Sequence, residues 1–316
     1  MYYFNVVFTM LNFFVLLILV LISVAFFTLM ERKVLGYIQY RKGPNKTGFQ
    51  GIIQPFSDAI KLFCKEQSFP YMSNIYLYYM SPIFSMVISL MLWISFPYLF
   101  NYSIFEYSIL YFICLSSMSV YGTMMAGWSS NSNYSLLGSI RSISQSISYE
   151  VSFMMIMMIF MILIEGFSLY NFYFYQAKVW LMFIFLPISF IMLSIFLAET
   201  NRTPYDLSEG ESELVSGFNV EYSSGGFALI FLAEYSSILF MSFIFSMLFL
   251  GGDFMNLVFY LKFIFISYIW VWIRGTLPRF RYDNLMIMSW TSYLPLVLNF
   301  LMMSMNLFMY FLVFNL

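Results

Sequence analysis

Seven carboxylic acids fall within residues 199–234, a stretch that holds only one basic residue, Arg202. If the stretch around Glu209 and Glu213 is helical, these two side chains lie one turn apart and repel each other when both are ionised. Burial and neighbouring negative charge both raise the pKa of a carboxyl group, so such a cluster can hold or pass protons near neutral pH. A structural hydrogen bond or an arginine partner explains any single member equally well. The seven acids are Glu199, Asp206, Glu209, Glu211, Glu213, Glu221 and Glu234.

Glu150 is a further acid within an apolar stretch, nine residues after Arg141. Nine residues correspond to about 13 Å along a helix. A charged side chain in the middle of a bilayer costs at least about 2.5–3.5 kcal/mol. We therefore expect Glu150, like Glu234, to face the protein interior or a water-filled path.

Basic side chains are concentrated in residues 31–66, which carry seven Lys and Arg against Glu31, Asp58 and Glu66. This basic segment and the acidic segment should attract each other and enclose a polar cavity at the membrane boundary. The alternative is a pair of solvated loops. Arg274, Arg279 and Arg281 form a smaller basic group, which a simple membrane anchor explains as well as a site does.

Several kinds of chemistry are excluded because the chain has no histidine and only two cysteines, Cys64 and Cys114. Without histidine there is no Ser-His-Asp triad, no His-ligated haem and no His-based zinc site. An iron–sulfur cluster needs about four ligands. The sequence predicts no catalytic residue and no metal site within this chain.

The elements that must position these groups are membrane helices. Hydrophobic residues make up 62% of the 316 residues and charged residues 9%, whereas soluble domains are about 45–50% apolar and about 25% charged. The apolar runs are long and do not alternate, which disfavours a β-barrel. We predict an all-α integral membrane protein with about eight transmembrane helices. The apolar windows are 4–30, 78–100, 108–127, 144–164, 180–198, 226–250, 254–273 and 288–314.

The basic residues also predict the orientation. Twelve of the 14 fall in the loops after the first, third, fifth and seventh windows, which are therefore expected on the inner side, with both termini on the other. Two inner loops are long, at about 31–77 and about 199–225. In the first loop, apolar residues from Ile52 to Phe63 recur at helical spacing opposite Asp58, Lys61 and Lys65, which predicts an amphipathic surface helix. The whole chain, 1–316, is expected to form a single polytopic membrane domain.

Several motifs together carry a family resemblance. They are ERKVLGYIQ at 31–39, RKGPN at 41–45, QPFSDAIKLF at 54–63, SYEV at 148–151, AETNRTPYD at 198–206, EGESELVSGFNVEY at 209–222 and RFRYD at 279–283. The chain resembles the NADH-ubiquinone oxidoreductase chain 1 family over essentially its full length. Members of that family are the quinone-site membrane subunit of respiratory complex I, here in the mitochondrially encoded form.

The resemblance implies a multi-pass subunit of the mitochondrial inner membrane, with the long loops on the matrix side and both termini on the intermembrane-space side. Ubiquinone would enter from the lipid bilayer through this subunit as substrate. Partner subunits would hold NADH, FMN and the iron–sulfur clusters. The partners would be other complex I membrane subunits and the quinone-module subunits of the peripheral arm, with no nucleic acid.

The resemblance also implies roles for particular residues. The quinone channel would be lined by Arg32, Arg41, Phe56, Asp58, Lys61, Phe63 and Arg281. A path that couples quinone reduction to proton translocation would contain Glu150, Glu199, Asp206, Glu209, Glu211, Glu221 and Glu234. Arg141, Arg202, Arg274 and Arg279 would balance charge.

Three other functions are compatible with parts of the sequence. A proton-coupled secondary transporter would suit the intramembrane acids, but no inverted repeat is evident and the motifs lie in loops on one side. A purely structural anchor would have no reason to bear the cost of buried acids. The equivalent subunit of a membrane-bound hydrogenase differs only in its partners.

Overall fold

The computed structural model describes residues 2–97, 105–208, 210, 217–254 and 256–314, and every regular element within these ranges is helical. The long helices are α1 (Tyr2–Ile38), α3 (Ile75–Leu92), α4 (Ser108–Ser130), α5 (Asn133–Ile164), α9 (Ser224–Phe249), α10 (Leu257–Thr276) and α12 (Leu294–Phe314). The shorter ones are α2 (Gln54–Cys64), α6 (Asn171–Tyr175), α7 (Leu181–Ile184), α8 (Leu186–Glu199) and α11 (Tyr282–Ile287). A π-helical segment, Met288–Tyr293, joins α11 to α12.

Seven segments within the described ranges are long and apolar enough to cross a membrane, so the chain is a helical membrane protein as predicted. The fifth predicted window, 180–198, differs because it is divided into α7 and α8. The break is at Phe185. Pro187, the second residue of α8, lacks the amide hydrogen that would bond to the Phe183 carbonyl, and its ring would clash with that carbonyl, which explains why α7 does not continue into α8. The 14 residues of α8 extend about 21 Å, less than the roughly 30 Å of the hydrocarbon core.

Two helices begin or end far from their predicted windows. Helix α1 continues past Met30 to Ile38, so Glu31 and Arg32 lie on a helix instead of a loop. Helix α5 begins at Asn133, well before the predicted start at 144. Its first turns are polar but contain buried serines whose hydroxyls bond to the preceding turn of their own helix, for example Ser142 to the Ser139 carbonyl at 2.8 Å.

Helix α9 is at the centre of the molecule. Two-thirds of its apolar window is enclosed by the rest of the protein, against at most half for the other spans. It packs against α1, α2, α3 and α10, while α5 packs against α4, α8 and α12. The basic segment 31–66 and the acidic segment 199–234 therefore both lie near α9 and its neighbours.

The amphipathic helix is confirmed as α2, which follows a tight turn and packs against α1 and α9. Gly51 in this turn has φ +77°, and a Cβ atom there would come within 2.1 Å of the Pro44 carbonyl oxygen. Only glycine fits this position without a backbone shift. The turn thereby sets the place of α2 beside α1.

Candidate functional site

A cavity of about 410 Å³ lies between α1, α2 and α9. This volume is within the ordinary range of small-molecule pockets, about 300–1,000 Å³. Its walls combine apolar side chains with a few charged and polar groups, as an amphiphilic ligand requires. The apolar walls include Val24, Leu35, Leu62, Phe63, Phe227 and Phe231, and the polar groups are Thr28, Glu31, Arg32, Asp58, Tyr235 and Arg274.

An ion pair between Arg32 of α1 and Asp58 of α2 closes one wall of this cavity. The other oxygen of Asp58 accepts a hydrogen bond from the Gln54 amide at 2.8 Å. Because both partners are partly exposed, the pair contributes little to stability. It instead fixes the orientation of two polar groups that face the cavity.

Only some of the residues predicted to line the quinone channel lie in the wall of this cavity. Arg32, Asp58 and Phe63 line it, whereas Arg41, Phe56, Lys61 and Arg281 are absent from its wall. Arg41 and Lys61 are exposed, and Phe56 packs edge-to-face on Phe26 with ring centroids 6.0 Å apart. Arg281 is paired at 2.9 Å with Asp283, and both side chains are more than half exposed.

Sequence reasoning assigned no role to Glu31 and did not single out Tyr235. Glu31 is 5% exposed and accepts hydrogen bonds from the Tyr235 hydroxyl and the Arg274 guanidinium. The Arg202 guanidinium carbon lies 4.4 Å from the centre of the Tyr235 ring. Arg202 also lies 3.6 Å from a carboxylate oxygen of Glu234. These five side chains form one polar bridge from the 410 Å³ cavity to the acidic segment.

No pattern in the sequence identifies Glu31. In the structure Val20, Val24 and Phe27 are buried and continue in helical phase to Glu31, at the spacing of four, three and four residues typical of one helix face. Because apolar residues cover nearly every face of α1 in this stretch, the sequence does not show which face is buried. Tyr235 likewise has no signal apart from being next to Glu234.

A second, smaller cavity of about 90 Å³ lies between α3, α4, α9 and the end of α8. Glu199 and Glu234 both line it, together with several hydroxyl groups. One oxygen of Glu199, Oε2, is buried without a hydrogen-bond partner in the described part of the chain. Glu150 on α5 is near enough to act electrostatically on Glu199. The structure thus brings Glu150, Glu199 and Glu234 into one region.

The segment after Glu199 is folded inwards. Asp206 is 5% exposed and lies 3.5 Å from the Arg279 guanidinium. The Gln145 side-chain amide of α5 donates to the carbonyls of Ala198 and Tyr205, both at 2.8 Å. Burial, reinforced by the neighbouring Tyr293 hydroxyl, raises the pKa of the Tyr205 phenol, which therefore stays neutral. Arg279 therefore lies beside Asp206 in the structure, and its charge-balancing role stays a prediction.

The far end of the acidic segment is held by a pair of tyrosines. The rings of Tyr78 and Tyr222 are stacked with centroids 4.3 Å apart, and the Tyr78 hydroxyl donates to the Glu221 carbonyl at 2.7 Å. Burial raises the pKa of Tyr222, whose hydroxyl lies 2.8 Å from that of Ser81. Glu221 is thereby fixed to α3 through its backbone.

The remaining predicted residues do not line either cavity in the described part of the chain. Arg141 is half-buried on α5. Glu209, Glu211 and Glu213 lie outside the described residues, so their roles stay predictions. Among the residues that are described, no three Cys, Asp or Glu side chains gather as a metal site would require. Cys64 and Cys114 are both exposed and unpaired.

The chain is similar to known proteins over nearly its whole length. A family model described as NADH dehydrogenase matches residues 11–305. The NADH-ubiquinone oxidoreductase chain 1 of Locusta migratoria is 62% identical over 291 residues that cover 92% of this chain and 93% of the relative. The protein of the same name from Anopheles gambiae is 58% identical over 296 residues, 94% of each chain. That of Branchiostoma lanceolatum is 46% identical over 288 residues, covering 91% and 92%.

Proposed function

The chain belongs to the NADH-ubiquinone oxidoreductase chain 1 family and is a subunit of that enzyme, complex I, and from this premise we propose that it forms the ubiquinone entry channel and couples quinone reduction to proton translocation. The other subunits of complex I are its partners. The observation that carries the proposal is the polar bridge Glu31–Tyr235–Arg202–Glu234, which joins the 410 Å³ cavity to the buried acids.

The 410 Å³ cavity suits a quinone because its wall is amphiphilic. Phe63, Leu35 and Phe227 offer apolar contact for an isoprenoid tail. Arg32 and Arg274 can donate charge-assisted hydrogen bonds to the carbonyl oxygens of a quinone, and the Asp58 carboxylate can accept one from a quinol hydroxyl. The amphipathic helix α2 forms one side of the cavity and exposes Phe56 and Ile60, which fits a helix at the lipid boundary. This placement supports entry of the quinone from the bilayer past α2.

The proposed coupling would use two contacts of Arg202. Reduction of a quinone takes up protons with the electrons and changes the charge near Glu31 and Tyr235. Arg202 is stacked on Tyr235 and paired with Glu234, so a change at Tyr235 alters the field at Glu234. Such interactions are stronger in a low-dielectric interior than in water. Glu234, Glu199 and Glu150 would then release or take up protons in turn, with Asp206, Glu209, Glu211 and Glu221 in the same path.

The rest of the redox machinery is assigned to partner subunits. With no histidine and two cysteines, the chain cannot supply the roughly four ligands of an iron–sulfur cluster. NADH, FMN and the clusters would be held by peripheral-arm subunits above the long inner loops. The chain would lie in the mitochondrial inner membrane, with those loops on the matrix side and the termini on the other. Within this arrangement Arg41, Lys61 and Arg281, which are exposed in the isolated chain, would complete the channel together with a partner.

Photo-crosslinking tests the quinone assignment. A ubiquinone analogue with a photoreactive headgroup or tail is applied to intact inner membranes, and the labelled peptides are identified by mass spectrometry. We expect label in peptides that contain residues 24–35, 55–63 and 227–235, reduced by excess ubiquinone. Label confined to partner subunits would remove Arg32 and Asp58 from the channel and leave this chain a scaffold or proton relay.

A further inference from the structure

Lys262 is a basic residue within an apolar membrane helix. It lies in the first half of α10, away from the end that carries Arg274. Twelve of the 14 basic residues of the chain fall in the long inner loops and their neighbours, and only Lys178 and Lys262 do not. A cation within a membrane span is costly unless partners compensate for its removal from water. The position of Lys262 therefore calls for specific partners.

The partners of Lys262 are the end of α9 and an indole ring. Its Nζ donates a hydrogen bond at 2.7 Å to the carbonyl of Leu250, the residue that directly follows α9. The same Nζ lies 4.2 Å from the centre of the Trp180 ring. The end of a helix carries partial negative charge on its carbonyls, and an aromatic face attracts a cation. Both contacts therefore stabilise the ammonium group at the end of α9.

Gln176 holds the same end of α9 from a second direction. Its side-chain amide donates to the carbonyls of Met247 and Leu248 at 3.0 and 2.7 Å, and its Oε1 accepts from the Gly251 amide at 2.7 Å. Gln176 is only 4% exposed. The last carbonyls of a helix have no amide partner within the helix, so this one side chain supplies what the last turn lacks. We call Gln176, Trp180 and Lys262 the outer clamp.

Helix α9 connects the outer clamp to the polar bridge. It is continuous from Ser224 to Phe249, and Tyr235 lies 15 residues before Leu250, a distance of about 22 Å along the helix. The other end of α9 directly follows Tyr222, whose ring is stacked on Tyr78. A continuous helix that is held at both ends can neither turn nor slide freely. The clamp therefore affects which way the side chains in the middle of α9 point.

We propose that Lys262 is a positioning residue for quinone reduction: through the outer clamp it fixes the rotation and height of α9, and so holds Tyr235 against Glu31 and Arg202. The inference rests on the proposed coupling function and adds to it a group of residues at the far end of α9. None of the three clamp residues lines the 410 Å³ cavity, so the clamp acts on the bridge and not on the quinone.

Hydrogen–deuterium exchange of the assembled complex tests the clamp itself. Lys262→Met keeps an unbranched side chain and removes the ammonium group, a change that by itself favours membrane insertion. We expect the amides of residues 248–251 to exchange severalfold faster than in the wild type, because the end of α9 opens more often. Lys178→Met is the matched control, since Lys178 is an exposed lysine two residues before Trp180, and it should exchange as the wild type does. Unchanged exchange in Lys262→Met would overturn the proposal.

Steady-state kinetics separates positioning from simple capping of a helix. Turnover on membranes is divided by the amount of assembled complex on native gels. We expect Lys262→Met to lower kcat for NADH:ubiquinone reduction about fivefold, with KM for quinone within about twofold of wild type. Lys262→Arg keeps a donor and can stack on Trp180, so it should restore kcat. Faster exchange at residues 248–251 with a wild-type kcat would show that Lys262 only caps α9, and would overturn its role in the reaction.

Trp180→Leu gives the same test with a milder change. Trp180 is 38% exposed, so the substitution removes the ring beside Lys262 without opening the core, and it serves if Lys262→Met does not accumulate in the complex. We expect exchange and kcat to change in the same directions as in Lys262→Met, by smaller factors. Wild-type values of both would contradict the clamp.

A double-mutant cycle tests whether Lys262 acts through Tyr235. Substitutions that are far apart and independent have additive effects. If both changes interrupt the same bridge, Lys262→Met should lower kcat by less than about twofold once Tyr235→Phe is present. A full further fivefold loss would overturn the proposal while leaving the coupling function intact. Normal turnover and pumping in Tyr235→Phe and in Glu199→Gln would instead refute the coupling function, whatever the exchange rates of α9 show.

Discussion

The proposed coupling between the two cavities depends on individual residues. The Glu31 carboxylate receives the Tyr235 hydroxyl and the Arg274 guanidinium although it is 5% exposed. A buried charge that loses a donor is destabilised by far more than the bond contributes when intact. Tyr235 lies between Glu31 and Arg202. When its hydroxyl is removed, Glu31 keeps the Arg274 guanidinium as a donor, so the bridge is interrupted while the Glu31 charge stays paired.

Tyr235→Phe removes that hydroxyl and keeps the ring on which Arg202 rests. We expect kcat for NADH:ubiquinone reduction to fall about tenfold, with KM for quinone little changed, since the bridge acts after binding. Steady-state kinetics on membranes measures both values. Tyr268→Phe, at an exposed position on α10, is the control. A rise in KM alone would mean that Tyr235 binds quinone and does not transmit its reduction.

Asp58→Asn removes the charge that holds Arg32 at the cavity wall. We expect a severalfold higher KM for quinone and a kcat within about twofold of wild type, as for a group that binds substrate and transition state equally. Glu106→Gln, an exposed acid before α4, should leave both values unchanged. An unaltered KM in the Asp58 variant would place the channel elsewhere.

Glu150→Gln and Glu199→Gln test the acidic path. Each change keeps the shape of the side chain and removes its proton-exchanging group. We expect both variants to assemble but to lose most quinone reductase activity, on the scale of 10²-fold for a positioned acid or base. Glu165→Gln, at the exposed end of the same helix α5 as Glu150, is the matched control. Full turnover with full proton pumping in both variants would disprove the path.

Among the helices, hydropathy predicted the apolar middle of each one but missed the polar turns by which α1 and α5 extend beyond their apolar windows. Helix α5 extends eleven residues further towards its N-terminus than its window because its serines satisfy their hydroxyls within the helix. Helix α1 extends because Glu31 finds donors on α9 and α10. Those partners are distant in sequence, so no local pattern could reveal them. The amphipathic period of α2, in contrast, is local and predicted it correctly.

The same distinction holds for the candidate site. Charge and burial cost identified Glu150, Glu199 and Glu234, which the structure brings together. The break before Pro187, which shortens α8, follows from the missing amide hydrogen of proline and could have been predicted from the sequence. Phe63 lines the cavity, whereas Phe56 packs on Phe26. This difference depends on tertiary packing and could not have been predicted from the sequence.

Gly51→Ala tests the placement of α2. The added Cβ would meet the Pro44 carbonyl oxygen at 2.1 Å in a backbone with φ +77°, a strain of about 1–3 kcal/mol. We expect α2 to shift from α1, the KM for quinone to rise, and trypsin to cleave faster within the turn before α2. Gly225→Ala, where a Cβ meets only the end of the flexible Gln67 side chain, should behave as wild type. Unchanged cleavage in the Gly51 variant would show that the turn does not position α2.

For the whole molecule, charge distribution predicts orientation. Lys46 is exposed in the first long loop, and Glu106 is exposed at the opposite end of the α3–α4 pair. Lys46→Cys should react with a membrane-impermeant maleimide only in inside-out particles, and Glu106→Cys only in mitoplasts, with Cys64 replaced by serine in both. The reverse pattern would contradict the positive-inside assignment.

Helix α9 contributes to both cavities at once. Phe227, Phe231 and Tyr235 face the larger one, while Ala233, Glu234 and Ser237 face the smaller one. Over these turns the helix therefore has no face left for lipid or solvent. Positions that face lipid or solvent usually tolerate substitution in a membrane protein, and these positions do not face either. A substitution here alters two chambers together, and a compensating change must come from a different helix. We therefore expect this short run of codons to tolerate fewer inherited variants than any other span of the gene.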